Sequence, residues 1–136
     1  ENIQNRDRSI ITSPNPLKEV EVDTALKKSS KFALKEVSQK IKNKIISGAQ
    51  VLGIGGLHYY SIKGQCSDSE IYSIDQVLNV LKKNTGLKDS EINSKYSETE
   101  ITNLALVGGF MKALQIKKVR TGKVNLADGL LINPEI

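Results

Sequence analysis

Gly53-Ile54-Gly55-Gly56 is the segment of this sequence best suited to chemistry, because glycines after an apolar run let bare backbone N–H groups approach and surround an anion. The preceding Gln50-Val51-Leu52 reads as a buried strand, so the glycines fall where that strand turns. No Gly-Lys-Ser/Thr follows, and no third glycine stands at the dinucleotide offset, so the segment meets neither the Walker nor the Rossmann pattern. Two readings stay open, a phosphate or nucleotide loop and a structural turn. Just beyond lies the single histidine, His58, followed by Tyr59 and Tyr60. An imidazole beside a phosphate loop could touch ligand or act as a base, and a packed or surface histidine is the plain alternative.

Other chemistry-bearing residues are sparse. Cys66, the one cysteine, sits in the polar run Gly64 to Ser69 with no evident partner base and reads as a loop cysteine rather than a reactive thiol. One thiol and one histidine are too few for a structural zinc site, and a single cysteine cannot make an internal disulfide, which fits a reducing, cytoplasmic setting. Asp128, in Ala127-Asp128-Gly129, suits either a metal ligand or a turn. No pair of carboxylates stands in a pattern that marks acid/base chemistry. Lys117, Lys118, Arg120 and Lys123 alternate with apolar residues and would line one sheet edge, either beside a bound anion or facing water.

The elements that must hold these residues can be read from periodicity. Residues 1–20, with Ser13-Pro14-Asn15-Pro16, form an extended lead-in or linker, and residues 21–136 a single lobe. Asp23 caps one long helix whose apolar positions Leu26, Leu34, Val37, Ile41 and Ile45 recur at helical steps, with Gly48 placed to end it. Ser73-Ile74-Asp75-Gln76 has capping-box spacing and opens a second helix running up to Gly86. Ser97-Glu98-Thr99-Glu100 repeats that spacing and opens a third, through Leu114, whose central Gly108-Gly109 implies a close backbone approach. Ile116–Arg120 and Val124–Leu126 are short strand candidates, and Ala127–Leu131 a turn. Helix, strand and glycine turn in succession point to an α/β domain.

The 136 residues are enough to bury a core, and 38% hydrophobic with 26% charged residues is the balance of a folding chain. No apolar run approaches the roughly 20 residues of a membrane span, and the N-terminal residues lack the order of a secretory signal. Position 1 is not Met, so the sequence looks like a piece of a longer one. The net charge of +5 is uneven, since residues 1–50 carry 10 basic and 6 acidic side chains and residues 51–100 carry 5 and 7. Basic ends draw in polyanions, although solvated lysines on helix faces give the same totals.

Taken as a set, Val51 to Gly56, the helix from Ile74, Leu104-Ala105-Leu106-Val107-Gly108-Gly109-Phe110-Met111-Lys112-Ala113-Leu114, and Ala127 to Leu131 resemble the second lobe of the exopolyphosphatase/guanosine-pentaphosphate phosphatase (Ppx/GppA) family. The resemblance covers about residues 24–132. It implies a partial ribonuclease H-like lobe of the actin/Hsp70/sugar-kinase superfamily, with Gly53, Gly55, Gly56 and His58 at the phosphate and substrate bound against an N-terminal lobe of the same protein. Polyphosphate or a guanosine nucleotide would be the ligand, Mg²⁺ the cofactor, and a second copy of the chain a further expected partner. The family's water-positioning carboxylate belongs to a part of the family sequence not present here. Leu57 stands where the family usually carries threonine, and Val119 to Asp128 lacks the family's usual arginine-containing ending, departures that bring a non-catalytic nucleotide- or polyphosphate-sensing relative into play. A basic module binding nucleic acid or protein is the reading from another class.

Overall fold

A computed structural model of the protein describes residues 13–124. Within them the chain is mixed α/β, with five α-helices and a three-stranded sheet. In chain order these are α1 (Glu19–Glu36), α2 (Gln39–Ile46), β1 (Leu52–Ile54), a π-helical run (Leu57–Ile62) continued by α3 (Lys63–Cys66), β2 (Ile71–Ser73), α4 (Ile74–Asn84), a 3₁₀ turn (Asp89–Glu91), α5 (Ser97–Ala113) and β3 (Lys118–Gly122). Asn125–Leu126 of the second strand candidate, the Ala127–Leu131 turn and Asp128 lie outside the described residues.

The single long helix expected from Asp23 to Gly48 is two helices. It begins earlier because Glu21, and not Asp23, reaches back to accept from the Lys18 N–H at 2.8 Å. It breaks where Val37 is extended and Ser38 starts again as the cap of α2, its hydroxyl accepting from the Ile41 N–H. Gly48 does close α2. The Gly48 and Ala49 amides return to the Ile45 and Lys44 carbonyls, a Schellman ending. The lead-in is tied down at its end, where Ser13 and Asn15 both donate to Asp89 Oδ1 at 2.8 and 2.7 Å and Asn15 also donates to the Ser97 carbonyl.

The Ser73–Gln76 capping box of α4 is present in both directions. That of α5 is not. Tyr96 is its cap without a side-chain bond, and Glu100 turns inward, fully buried. α5 is the centre of the molecule, with Ile101, Leu104, Ala105, Val107 and Met111 buried against α1, α4 and the π-helical run. The close approach implied by its glycines is real, since a Cβ on Gly109 would lie 2.5 Å from Ser29 Cβ and 2.9 Å from the Leu26 carbonyl oxygen of α1. Ser30 Oγ donates to the Gly109 carbonyl at 2.9 Å, fixing the crossing by a polar contact that only near-touching backbones allow.

The strand order is β1-β3-β2, with β1 parallel and β2 antiparallel to β3. Helices cover one face only: Gly53, Tyr72, Val119 and Thr121 point inward, while Leu52, Ile54, Ile71, Lys118 and Arg120 lie on the open face. Of the basic residues expected on a sheet edge, Lys118 and Arg120 therefore sit on the open face of the central strand, because β1 and β2 flank β3 on both sides, while Lys117 precedes the strand and Lys123 follows it. Among the described residues no helix is long and apolar enough to cross a membrane.

Candidate functional site

β1 delivers the chain to the glycines and stops there. Gly55 has φ +81°, the left-handed region that a β-carbon disfavours, and this turn lets the chain leave the sheet directly into a helical run. The Gly55 N–H is taken, donating to the Val124 carbonyl at 2.9 Å, which pins the turn to the segment after β3. Next come Gly56 and Leu57, whose amides open the helical run and so have no partner within it. No atom lies within 4 Å of a Cβ built on Gly55, and only the Tyr60 ring edge, at 3.9 Å, approaches one on Gly56. A shallow concavity of about 270 Å³ forms here between Gly55, Gly56, Tyr59, Tyr60, Gly122 and Lys123. Tyr59 and Tyr60 meet edge to face at 5.1 Å, and the Lys63 ammonium lies 4.3 Å over the Tyr59 ring. Lys123 and the positive end of the helical run give this surface its sign.

Gly53 and His58 belong elsewhere. Gly53 is inside β1, and a Cβ on it would fall 2.7 Å from His58 Cγ. Its missing side chain makes room for the imidazole. His58 Nδ1 is 2.6 Å from the Tyr72 hydroxyl, the two rings lying nearly parallel. Burial holds the imidazole pKa below its ordinary value, which keeps the ring neutral near pH 7. Together with Leu57, Leu106, Phe110 and Val119 it lines a separate, apolar cavity of about 300 Å³. Leu57 lines this apolar cavity rather than the glycine concavity. Of the four residues grouped from the sequence, the fold gathers Gly55 and Gly56 and removes Gly53 and His58.

No family model, curated protein or solved structure matches this chain.

The lining has amides, two phenols and one ammonium but no carboxylate, and no group of three His, Cys, Asp or Glu is assembled among the described residues. A hard divalent cation takes oxygen ligands, usually including carboxylate. The residues of this concavity therefore do not fit Mg²⁺ by themselves. Cys66 is not in a loop but ends α3, where burial first and the nearby Glu100 second push its thiol up to about 12, the opposite of what a reactive thiolate requires.

Sequence reasoning missed a buried polar cluster. Glu100 Oε2 accepts from the Ser61 and Ser94 hydroxyls, each at 3.1 Å, and Asn103 Nδ2 donates to Ser61 Oγ at 3.2 Å. Burial raises the Glu100 pKa, and the two hydroxyls pull it partly back. The capping-box spacing disguised this residue, since Glu three positions after Ser is the same string whether it turns back to a cap or inward.

Proposed function

We propose that this chain is the phosphate-gripping lobe of a two-lobed, ribonuclease H-like protein of the Ppx/GppA kind, acting in the cytoplasm on polyphosphate or a guanosine polyphosphate. One observation carries the reading: the strand-terminal Gly55-Gly56 turn leads straight into a helical run and opens on a concavity that carries, among the described residues, a lysine and no acid. An anion there would be held by the Gly56 and Leu57 amides and by Lys123, the glycines letting it approach the main chain closely. Hydrolysis needs a group that positions water, and among the described residues no carboxylate lines this surface. The lobe by itself therefore binds without turnover, and both the carboxylate and any Mg²⁺ ligands come from the N-terminal lobe. In a non-catalytic family member the same grip would serve sensing.

Titration of the ¹⁵N-labelled chain with inorganic tripolyphosphate tests this. Shifts concentrated at the Gly56, Leu57 and Lys123 amides are expected, with Lys123→Ala weakening binding roughly threefold to tenfold, the size of one exposed charge contact. Shifts spread over Lys27, Lys28 and Lys31 of α1, with the glycine amides still, would instead support the basic-module reading and end this one.

A further inference from the structure

Glu100 has no surface exposure and, among the described residues, no cation partner, the one ion pair there being Lys35–Glu36 at the surface. Its Oε2 receives two hydroxyls while its Oε1, equally buried, has none. The two donors come from different places. Ser61 lies in the π-helical run that begins at the glycine turn, and Ser94 in the loop between the 3₁₀ turn and α5. Ser61 is further held by Asn103, one turn along α5, so one carboxyl group joins three segments.

We propose that Glu100 is a proton-linked latch, holding the run from Leu57 to Cys66 against α5 and the loop at Ser94 when neutral and loosening it when ionised. A carboxylate spreads its charge over both oxygens, and Oε1 would then be a buried partial anion with no protein donor facing it. A protonated Oε1 leaves no such charge, and Oε2 still accepts from both serines. The surroundings offer an anion no help. From α3 the neighbouring titratable group is Cys66, a thiol that burial keeps uncharged; from β2, Tyr72 is a phenol that burial likewise keeps protonated; and from the π-helical run, His58 is neutral and engaged with Tyr72. The run also contains a π turn, in which Lys63 N–H returns to the His58 carbonyl, a tight irregularity held at Ser61 by side-chain bonds. This inference stands whether or not the glycine concavity binds phosphate.

Its consequence is a definite dependence on pH. A carboxyl that titrates higher folded than unfolded gives stability that is complete below the ordinary glutamate range and is lost as pH rises to the folded midpoint. Thermal or urea unfolding of the full chain and of Glu100→Gln, from pH 4.5 to 8, isolates it, since His58 and the other groups are common to both. The ratio of wild-type to variant folding constants should fall by up to tenfold per pH unit across that window and then level off. A ratio that is flat or rises with pH overturns the latch. Because Glu100→Gln leaves an amide in a buried site and could unfold the chain, wild type alone supplies a second test. The Glu100 carboxyl carbon, followed by ¹³C NMR, should titrate above the usual glutamate range, and amide exchange at residues 57–66, corrected for base catalysis, should quicken several-fold above that midpoint. A midpoint at or below the usual range, or exchange that ignores it, overturns the proposal.

Discussion

Two glycine pairs in this molecule look alike in the sequence and do opposite work. Gly108-Gly109 sits mid-helix, where a β-carbon on Gly109 would strike α1 and one on Gly108 would touch side chains of α1 and α4; Gly55-Gly56 sits at a strand end, where one would meet almost nothing. In the first pair the absent side chains are replaced by protein, in the second by open surface. Composition cannot tell these apart. The helical period around Leu104 to Leu114 marks the first pair as a packing site, and the apolar run ending at Ile54 marks the second as a turn.

The sharpest way to break this contrast is Gly109→Ala. Its new methyl group would meet Ser29 Cβ at 2.5 Å and two backbone atoms of α1 within 3.1 Å, so the helices themselves must separate. Overpacking of this kind should cost about 3 kcal/mol, against which better helix propensity returns about 1 kcal/mol. Urea unfolding should show a lower midpoint with an unchanged slope. Gly108→Ala, whose contacts are all with side-chain methyl groups at 3.4 Å and none with backbone, should stay within about 1 kcal/mol of wild type, propensity offsetting crowding. Equal losses at the two positions would mean that the crossing is looser than drawn.

Gly53→Ala should come next in size. The conflict here is with the root of the His58 ring, which must swing away and give up its bond to Tyr72. We expect a loss of about 1–2 kcal/mol by thermal unfolding, together with a rise in the His58 NMR midpoint toward that of a solvated imidazole. An unmoved His58 titration would show that the ring does not depend on this glycine for its place.

Which parts of this were legible follows from how local each signal is. α4, α5 and the Gly48 ending are set by residues within a turn or two of one another, and periodicity reports them; the Gly108-Gly109 pair signals a close approach, but its partners on α1 lie about 80 positions away and no local pattern names them. The break at Val37–Ser38 escapes because Leu34, Val37, Ile41 and Ile45 keep helical steps across it. β2 has three residues, too few for alternation to register, and owes its existence to β3 more than 40 positions later. The glycine turn was visible as a turn. That Gly53 faces the helices and Gly55 does not depends on which side of the sheet is covered, and that is a tertiary fact. Glu100 was hidden for the same reason, since its partner Ser61 lies 39 positions away.

The smallest effect on stability should carry the largest meaning for function. Gly56 has φ −59°, a conformation any residue adopts, and faces open space, so Gly56→Ala should leave stability unchanged or raise it by up to about 1 kcal/mol through helix propensity. A methyl group there nonetheless stands where an anion would have to approach the Gly56 and Leu57 amides. Tripolyphosphate affinity should therefore fall about fivefold, close to 1 kcal/mol, in a protein that folds as well as or better than wild type. A variant that is equally stable and binds equally well would make this second glycine pair a turn and nothing more, because no loss of folding could then be blamed for hiding a lost grip.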